Sequence, residues 1–183
     1  MQAALQSGVD VNSRGPDGEM TALMYAVKVR RSSVVSLLLE QEDIDVNIET
    51  RRGETALHSA AREDRNSECL AMLLARPDLT IVNQRDKFGY TPLFVAVSAR
   101  PRIWPKAKGA TGGRRLGAVR CVQLLLSDER TDPNIKSYEQ YTDKDWVCEG
   151  DSPLMYAVKW NYVDCVKLLL ADPRVDLSER EER

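Results

Sequence analysis

The chain has 183 residues, enough for one domain, and its 43% hydrophobic and 30% charged residues are an ordinary soluble balance. A net charge of -2 excludes a strong uniform field, and no apolar run approaches the roughly 18 residues of a membrane span. The opening residues lack the basic and apolar regions of a signal peptide, and the cysteines lack metal-site spacing. We therefore expect an intracellular protein, cytoplasmic or nuclear.

The first predicted element is a short helix after Thr21, in the segment TALMYAV. The threonine hydroxyl can accept a hydrogen bond from a free amide at the helix start, and the helix is predicted from Ala22 to Val29. A second helix, predicted from Val34 to Glu40, carries the block LLL at 37–39. Each helix can bury only one side, so the pair needs neighbours to stack against.

The same pattern recurs three more times along the chain. The helix-start segments are TALHSAA from Thr55, TPLFVAV from Thr91 and SPLMYAV from Ser152. Each is followed by an apolar block, at 72–74, 124–126 and 168–170, and then by a DVN-like triplet. Pro92 and Pro153 stand at the first helical position, where proline is tolerated. The pattern predicts a tandem array of about four helix pairs.

These in-phase segments resemble the ankyrin repeat family over nearly the whole chain. The resemblance implies an all-α solenoid of helix-turn-helix repeats joined by β-turn fingers, with a partial repeat at the N-terminus in AALQSGVDVN. Gly53 and Gly89 stand where the family makes its finger turn, which needs a positive φ. Asp86 matches the family turn, whereas Thr50 and Ser137 replace this aspartate, so we expect those two fingers to be less regular.

The chain is expected to form a single repeat domain over 1–183. It starts inside one repeat and stops just past a second helix, and neither terminus has the polar face of a capping repeat. We expect a fragment of a longer protein, or a chain that packs its repeat ends on a partner. A frayed but soluble end is the alternative.

Two insertions interrupt the repeat. One, at 100–117, lies between the two helices of the third repeat, and the other, at 137–150, lies in the following finger. In the ankyrin arrangement these insertions lie at opposite edges of the stack. Lengthening a turn from about four to about twenty residues costs only about 1.4 kcal/mol, so the fold tolerates both.

The first insertion is basic and contains one tryptophan. Its candidate residues are Arg100, Arg102, Trp104, Lys106, Lys108, Arg114 and Arg115. Such a loop suits an acidic protein partner, or nucleic acid or anionic lipid. The alternatives are a solvated loop and a loop lying on the acidic C-terminus. The run GATGG from Gly109 lacks the Lys-Ser or Lys-Thr pair of a phosphate-binding loop.

The remaining reactive side chains have structural interpretations. His58 occupies the family's position for a hydrogen bond near the helix start. Cys69, Cys121 and Cys165 lie three residues before their apolar blocks, as does Val34, and this column is interpreted as small apolar core. Cys148 lies in the finger insertion, with surface exposure expected.

Two asparagines before the fingers also have a structural interpretation. Asn47 and Asn134 are interpreted as turn residues, and hydroxylation by an asparaginyl hydroxylase, known in the family, is the alternative.

The resemblance implies a protein-binding module, a scaffold or adaptor, that contacts another protein through finger tips and first helices. Electrostatic binding of nucleic acid or anionic membrane through the basic insertion is the alternative. No nucleophile-base pair, metal cluster or cofactor motif supports an enzyme. The predicted binding residues are Arg51, Arg52, Glu54, Lys87, Phe88, Tyr90, Tyr156, Lys159, Trp160 and, in the insertion, Trp146.

Tyr25, Ser59 and Val95 are also expected on the exposed side of the first helices. For Tyr25 and Tyr156, packing against a neighbouring repeat is the alternative.

Overall fold

The computed structural model describes residues 10–15, 19–99, 118–138 and 150–178. These residues form four helix pairs and no β-strand, with isolated antiparallel bridges at Arg14 and Thr21 and at Glu49 and Thr55. The helices are α1 Ala22–Lys28, α2 Ser32–Leu39, α3 Ala56–Ala61, α4 Ser67–Leu74, α5 Pro92–Ser98, α6 Val119–Ser127, α7 Pro153–Lys159 and α8 Val163–Ala171. The predicted all-α repeat solenoid is confirmed.

The first helix of each pair starts at a capping hydroxyl. The side chains of Thr21, Thr55, Thr91 and Ser152 each accept a hydrogen bond from the backbone N–H three residues later. This satisfies one of the amides that a helix start leaves unpaired. The second helices have no such side-chain cap, and α2 begins at Ser32, two residues earlier than the sequence predicted.

The helices stack in two layers. In one layer α1, α3, α5 and α7 contact each other in order, and in the other α2, α4, α6 and α8 do the same. The core lies between the layers and between successive pairs, where Phe94, Leu57, Leu73 and Leu125 are fully buried. Each pair therefore buries its apolar side chains against its neighbours, as a solenoid requires.

The cysteine column confirms this direction of stacking. Cys69, Cys121 and Cys165 are at most 2% exposed, and the Cys121 thiol points at backbone carbonyls of the preceding repeat. Burial raises the pKa of Cys121 to about 12. Val34 is 42% exposed, so its assignment to the core was wrong. It belongs to the first described pair, which has no described helix pair before it to pack against.

A ladder of asparagines joins the loops that follow the second helices. In each step, the Nδ2 group donates to a carbonyl of the next loop, and Oδ1 accepts a backbone N–H from it, at 2.7 to 2.9 Å. The ladder consists of Asn12, Asn47, Asn83 and Asn134. Asn12 shows that the partial N-terminal repeat keeps its loop in register. The turn role predicted for Asn47 and Asn134 is confirmed, and their hydroxylation stays a prediction.

Arginines close the carboxyl ends of three second helices. Each guanidinium donates to carbonyls at the end of the preceding repeat's second helix. It also pairs with an aspartate two residues away, and this ion pair holds the pKa of the aspartate carboxyl below its usual value. The helix contacts are Arg76 to Leu39 at 2.9 Å, Arg130 to Leu74 at 2.7 Å and Arg174 to Leu126 at 2.5 Å. A cation at a helix carboxyl end is favourable, so the arginines stabilise each repeat-repeat contact.

The finger glycines generate a stability prediction. Gly53, Gly89 and Gly150 have φ of +71, +77 and +60°, where a side chain costs about 1 to 2 kcal/mol. A Cβ at Gly53 would lie 2.7 Å from the Arg85 carbonyl oxygen and one at Gly89 would lie 2.3 Å from the Tyr138 nitrogen, whereas one at Gly150 would have no described residue within 4 Å. We expect Gly53→Ala and Gly89→Ala to lose at least about 1 kcal/mol more unfolding free energy than Gly150→Ala in urea denaturation. Equal losses in all three variants would show that the fingers are loosely packed.

Candidate functional site

The second and third fingers are each closed by a side-chain oxygen that accepts two backbone N–H groups. In the third finger, Asp86 Oδ1 accepts the backbone N–H groups of Phe88 and Tyr90 at 2.8 and 2.9 Å. In the second finger, Thr50 Oγ1 accepts the equivalent pair of N–H groups at 3.2 and 3.1 Å. The expectation of a less regular finger at Thr50 was therefore wrong, because a hydroxyl oxygen accepts the same two bonds. In the fourth, Ser137 Oγ lies 3.4 Å from a backbone carbonyl across the turn.

Adjacent fingers are bonded directly to one another. The Lys87 backbone N–H donates to the Arg52 carbonyl at 2.7 Å, and the Tyr138 N–H donates to the Phe88 carbonyl at 3.0 Å. These bonds fix the second, third and fourth fingers side by side, so the side chains of consecutive tips lie along one edge. Most of the predicted finger residues, including Arg51, belong to this edge.

Cations lie on aromatic rings along the finger edge. The Lys87 ammonium is 4.5 Å from the centre of the Phe88 ring, and the Arg85 guanidinium is 5.3 Å from the centre of the Tyr138 ring. Such contacts are favourable by about 0.5 to 1 kcal/mol at exposed sites. Tyr138 remains 44% exposed, so the edge presents apolar ring surface and positive charge together.

His58 links the second repeat to the third finger. It is fully buried, its Nδ1 accepts the Thr55 N–H at 3.1 Å, and its Nε2 donates to the Tyr90 carbonyl at 2.9 Å. The structural role predicted for His58 is confirmed. Burial lowers the pKa of His58, and the Tyr90 carbonyl and Asp86 act in the opposite direction without offsetting it. The ring is therefore neutral, with its proton on Nε2.

The His58 geometry predicts a pH dependence. Protonation would place an Nδ1–H against the Thr55 N–H, so the folded state resists it. Because its pKa lies below the unfolded value of 6.5, the stability that His58 contributes is complete above about pH 6.5 and is lost as pH falls towards the folded pKa. We expect the difference in unfolding free energy between the wild type and His58→Gln to shrink between about pH 7 and pH 5. A difference that stays constant over this range would contradict the buried neutral imidazole.

A row of aromatic rings runs from the third finger to the last helix pair. Phe88 lies 5.8 Å from Tyr90, which stacks almost parallel on Phe94 at 4.6 Å. Phe94 lies 5.2 Å from Tyr156, which lies 6.1 Å from Trp160. The structure therefore joins Phe88, Tyr90 and Trp160 through two rings that the sequence analysis did not connect to them. All three are partly exposed.

The burial of equivalent first-helix positions differs from repeat to repeat. Tyr156 is 6% exposed and Val95 is 5% exposed, whereas Tyr25 is 60% exposed. This position faces the preceding repeat, as the contact of Tyr156 with Phe94 shows, and Tyr25 has no described repeat before it. Tyr156 and Val95 lie beneath the surface instead of forming it, which corrects their expected exposure.

The aromatic row predicts that alanine substitutions at Tyr90 and Phe88 differ in their effect on stability. Tyr90→Ala removes a ring stacked on the fully buried Phe94, so we expect a loss of about 2 to 3 kcal/mol in unfolding free energy. Phe88→Ala, at the outer end of the row, should lose less than about 1 kcal/mol. Thermal and urea denaturation of the two variants measure this difference. Similar losses would contradict the row, and Phe88→Ala is the variant suited to binding experiments.

A groove that the sequence analysis did not predict lies between the first two repeats. It has a volume of about 300 Å³, and the ion pairs Arg30 with Glu63, at 2.6 Å, and Arg62 with Glu54 flank it. Its lining consists of Met20, Lys28, Arg30, Glu54, Ser59, Arg62, Glu63 and Asn66. Glu54 belongs to the second finger, so the groove opens beside the finger edge. In the sequence, this groove is indicated only by the charged residues that follow two consecutive first helices.

Several predicted residues lie outside the described part of the chain. They are Trp146 and Cys148 of the finger insertion and Arg100, Arg102, Trp104, Lys106, Lys108, Arg114 and Arg115 of the basic insertion. Within the described ranges, no group of His, Cys, Asp and Glu side chains is arranged to hold a metal ion. No helix in those ranges has the length and apolar character needed to cross a membrane.

The geometry defines a class of protein: a solenoid of capped helix pairs whose fingers are bonded into one edge. The family model for ankyrin repeats (3 copies) matches residues 1–83 and 114–180. The chain belongs to the ankyrin repeat family. Ankyrin repeats are generally protein-protein interaction modules.

Curated relatives agree with this assignment. The chain is 38% identical to the neurogenic locus notch homolog protein 1 of Mus musculus and 30% identical to that of Xenopus tropicalis, over 164 and 165 residues. Each match covers 82% of this chain and 5% of the relative. Ankyrin repeat protein 14 of Vaccinia virus is 45% identical over 74 residues, which is 40% of this chain and 30% of the viral protein. The chain thus spans a small part of its longer relatives.

Proposed function

We propose that the chain binds another protein through one surface, formed by the finger tips and the exposed side of the first helices. This contact surface consists of Arg51, Arg52, Lys87, Phe88, Tyr90, Lys159 and Trp160. The contact surface is a rigid edge that the partner protein binds, and the chain acts as a scaffold or adaptor. The proposal extends the general role of ankyrin repeats to particular residues.

The observation that carries the proposal is the aromatic row on bonded fingers. Phe88 and Tyr90 lie on a tip held by hydrogen bonds on both sides, and Trp160 lies at the other end of the row. Aromatic residues dominate interface energies because they bury large area with few rotatable bonds. Their fixed positions reduce the entropy lost on binding, which favours affinity.

The reactive side chains of the described residues support binding and not catalysis. His58 is buried and both ring nitrogens are engaged within the fold, so the imidazole has no access to a substrate. The Cys121 thiol has a pKa raised to about 12 by burial, which keeps it protonated and unreactive. These groups stabilise the repeats.

We also propose a cytoplasmic or nuclear location. Cys69, Cys121 and Cys165 are buried free thiols in the core, which suits a reducing compartment. The chain spans 5% of the length of its notch-type relatives, so its partner is sought directly in the experiment below.

The proposal predicts which variant loses binding. A partner captured from source-cell extract is identified, purified and titrated against the wild type, Phe88→Ala and a control, Val163→Ala, by calorimetry. Val163 is 49% exposed at the start of α8, in the opposite helix layer. We expect Phe88→Ala to weaken binding by at least about 2 kcal/mol, the usual threshold for a dominant interface residue, and Val163→Ala to have little effect. Unchanged affinity of a folded Phe88→Ala variant would rule the surface out.

A further inference from the structure

The small net charge hides a strong separation of charge between the two sides of the solenoid. The fingers, the first helices and the turns after them contain twelve basic and seven acidic residues, within 13–15, 19–31, 48–65, 84–99, 135–138 and 150–160. The second helices and the loops after them contain five basic and thirteen acidic residues, within 10–12, 32–47, 66–83, 118–134 and 161–178. Among the described residues, the finger side is therefore positive and the second-helix side negative.

Most acidic groups on the finger side are engaged within the fold. Asp86 is buried and closes its finger, and Asp64 accepts two backbone N–H groups at the start of α6, at 2.8 and 3.2 Å. Asp151 is paired with Lys159 at 3.2 Å, and Glu54 and Glu63 are held in the ion pairs beside the groove. Each of these ion pairs cancels one cation with one carboxylate, so the excess of basic residues on this side is unchanged, and the unpaired cations determine the charge that a partner meets.

The exposed cations lie together where the second finger meets its neighbours. Arg51 and Arg52 are exposed on the second finger, and the Lys87 backbone bonds to the Arg52 carbonyl from the third. On the other side, Lys28 and Arg62 line the groove, and the Arg62 side chain is 53% exposed. We call these five residues, Lys28, Arg51, Arg52, Arg62 and Lys87, the basic strip, which joins the groove to two finger tips.

We infer that the partner presents an extended acidic segment, which lies along this strip from the groove to the third finger. The inference rests on the proposed function and names the chemistry of its partner. Carboxylates of the segment pair with Arg51, Arg52 and Lys28, and an apolar residue contacts the Phe88 ring. The negative second-helix side repels the same segment, so charge fixes which side of the solenoid it meets.

A polypeptide fits this strip better than a nucleic acid does. Glu54 and Glu63 lie in the groove among the cations. Duplex DNA carries a charge about every 1.7 Å of its axis, which would place phosphates against these carboxylates. An extended peptide advances about 3.3 Å per residue and alternates its side chains, so its acidic groups can meet the cations and avoid the two glutamates.

The test uses a fluorescently labelled Glu-Ser repeat peptide, with the Gln-Ser repeat as its uncharged control, measured by fluorescence anisotropy. Two variants carry the same change of net charge: Arg51→Glu with Arg52→Glu on the strip, and Arg120→Glu with Lys167→Glu on exposed positions of α6 and α8. Circular dichroism and melting temperature establish that both remain folded.

The inference expects the Glu-Ser peptide to bind and the Gln-Ser peptide to bind at least about tenfold more weakly. The strip variant should lose about tenfold in affinity and the control variant less than about twofold. Raising ionic strength from about 0.1 to about 1 M, which shortens the screening length from about 10 to about 3 Å, should abolish binding.

Equal affinity for the two peptides, or equal loss in the two variants, overturns the inference. Tighter binding of a single-stranded oligonucleotide that displaces the peptide also overturns it, in favour of nucleic acid. A captured protein partner whose affinity falls in Phe88→Ala but is unchanged in the strip variant and in high salt would retain the proposed function and remove only the acidic segment. If the affinity of the captured partner falls neither in Phe88→Ala nor in the strip variant, both the proposed function and the acidic segment are ruled out.

Discussion

Stacking between neighbouring helix pairs is the constraint on which the rest of this structure depends. A pair such as α3 and α4 is too short to enclose a core, so its apolar side chains are buried only when pairs lie on both sides. Cys69 is 2% exposed, whereas Val34, at the equivalent position of the first pair, is 42% exposed and has no described helix pair before it. The burial of any one residue therefore depends on where its repeat stands in the array.

Directional polar contacts fix the spacing that apolar stacking alone would leave loose. The asparagine ladder, the arginine contacts at helix ends and the His58 bond to the next finger all run from one repeat to the next. A buried polar group that loses its partner costs about 1 to 3 kcal/mol, so the bond of the buried His58 in particular penalises a slip between repeats. The finger tips are consequently held at constant spacing, which is what a rigid binding edge needs.

The same geometry accounts for the binding chemistry of the surface. Fingers and first helices share one side of the stack, and loops after second helices share another, so side chains far apart in sequence combine into sides of opposite charge. Exposed ion pairs contribute only about 0.2 to 1 kcal/mol each, so in the proposed contact the basic strip would contribute mainly to orientation and rate of association. In the proposed contact, affinity would depend more on rings such as Phe88 and Trp160, which contact the buried Phe94 and Tyr156 through the aromatic row.

The sequence by itself determined the repeat, its helix caps, the buried cysteines and the structural role of His58, because these depend on local spacing and residue type. Tertiary structure decided the rest. Tyr25 and Tyr156 occupy equivalent positions, yet one is exposed and the other buried, since only the second has a described repeat before it. The arginine contacts do not form a regular sequence pattern, because Arg76 precedes its aspartate whereas Arg174 follows it. A long flexible side chain reaches equivalent helix-end carbonyls from either position. The groove and the basic strip join residues of different repeats, and only the stacking distance brings those together.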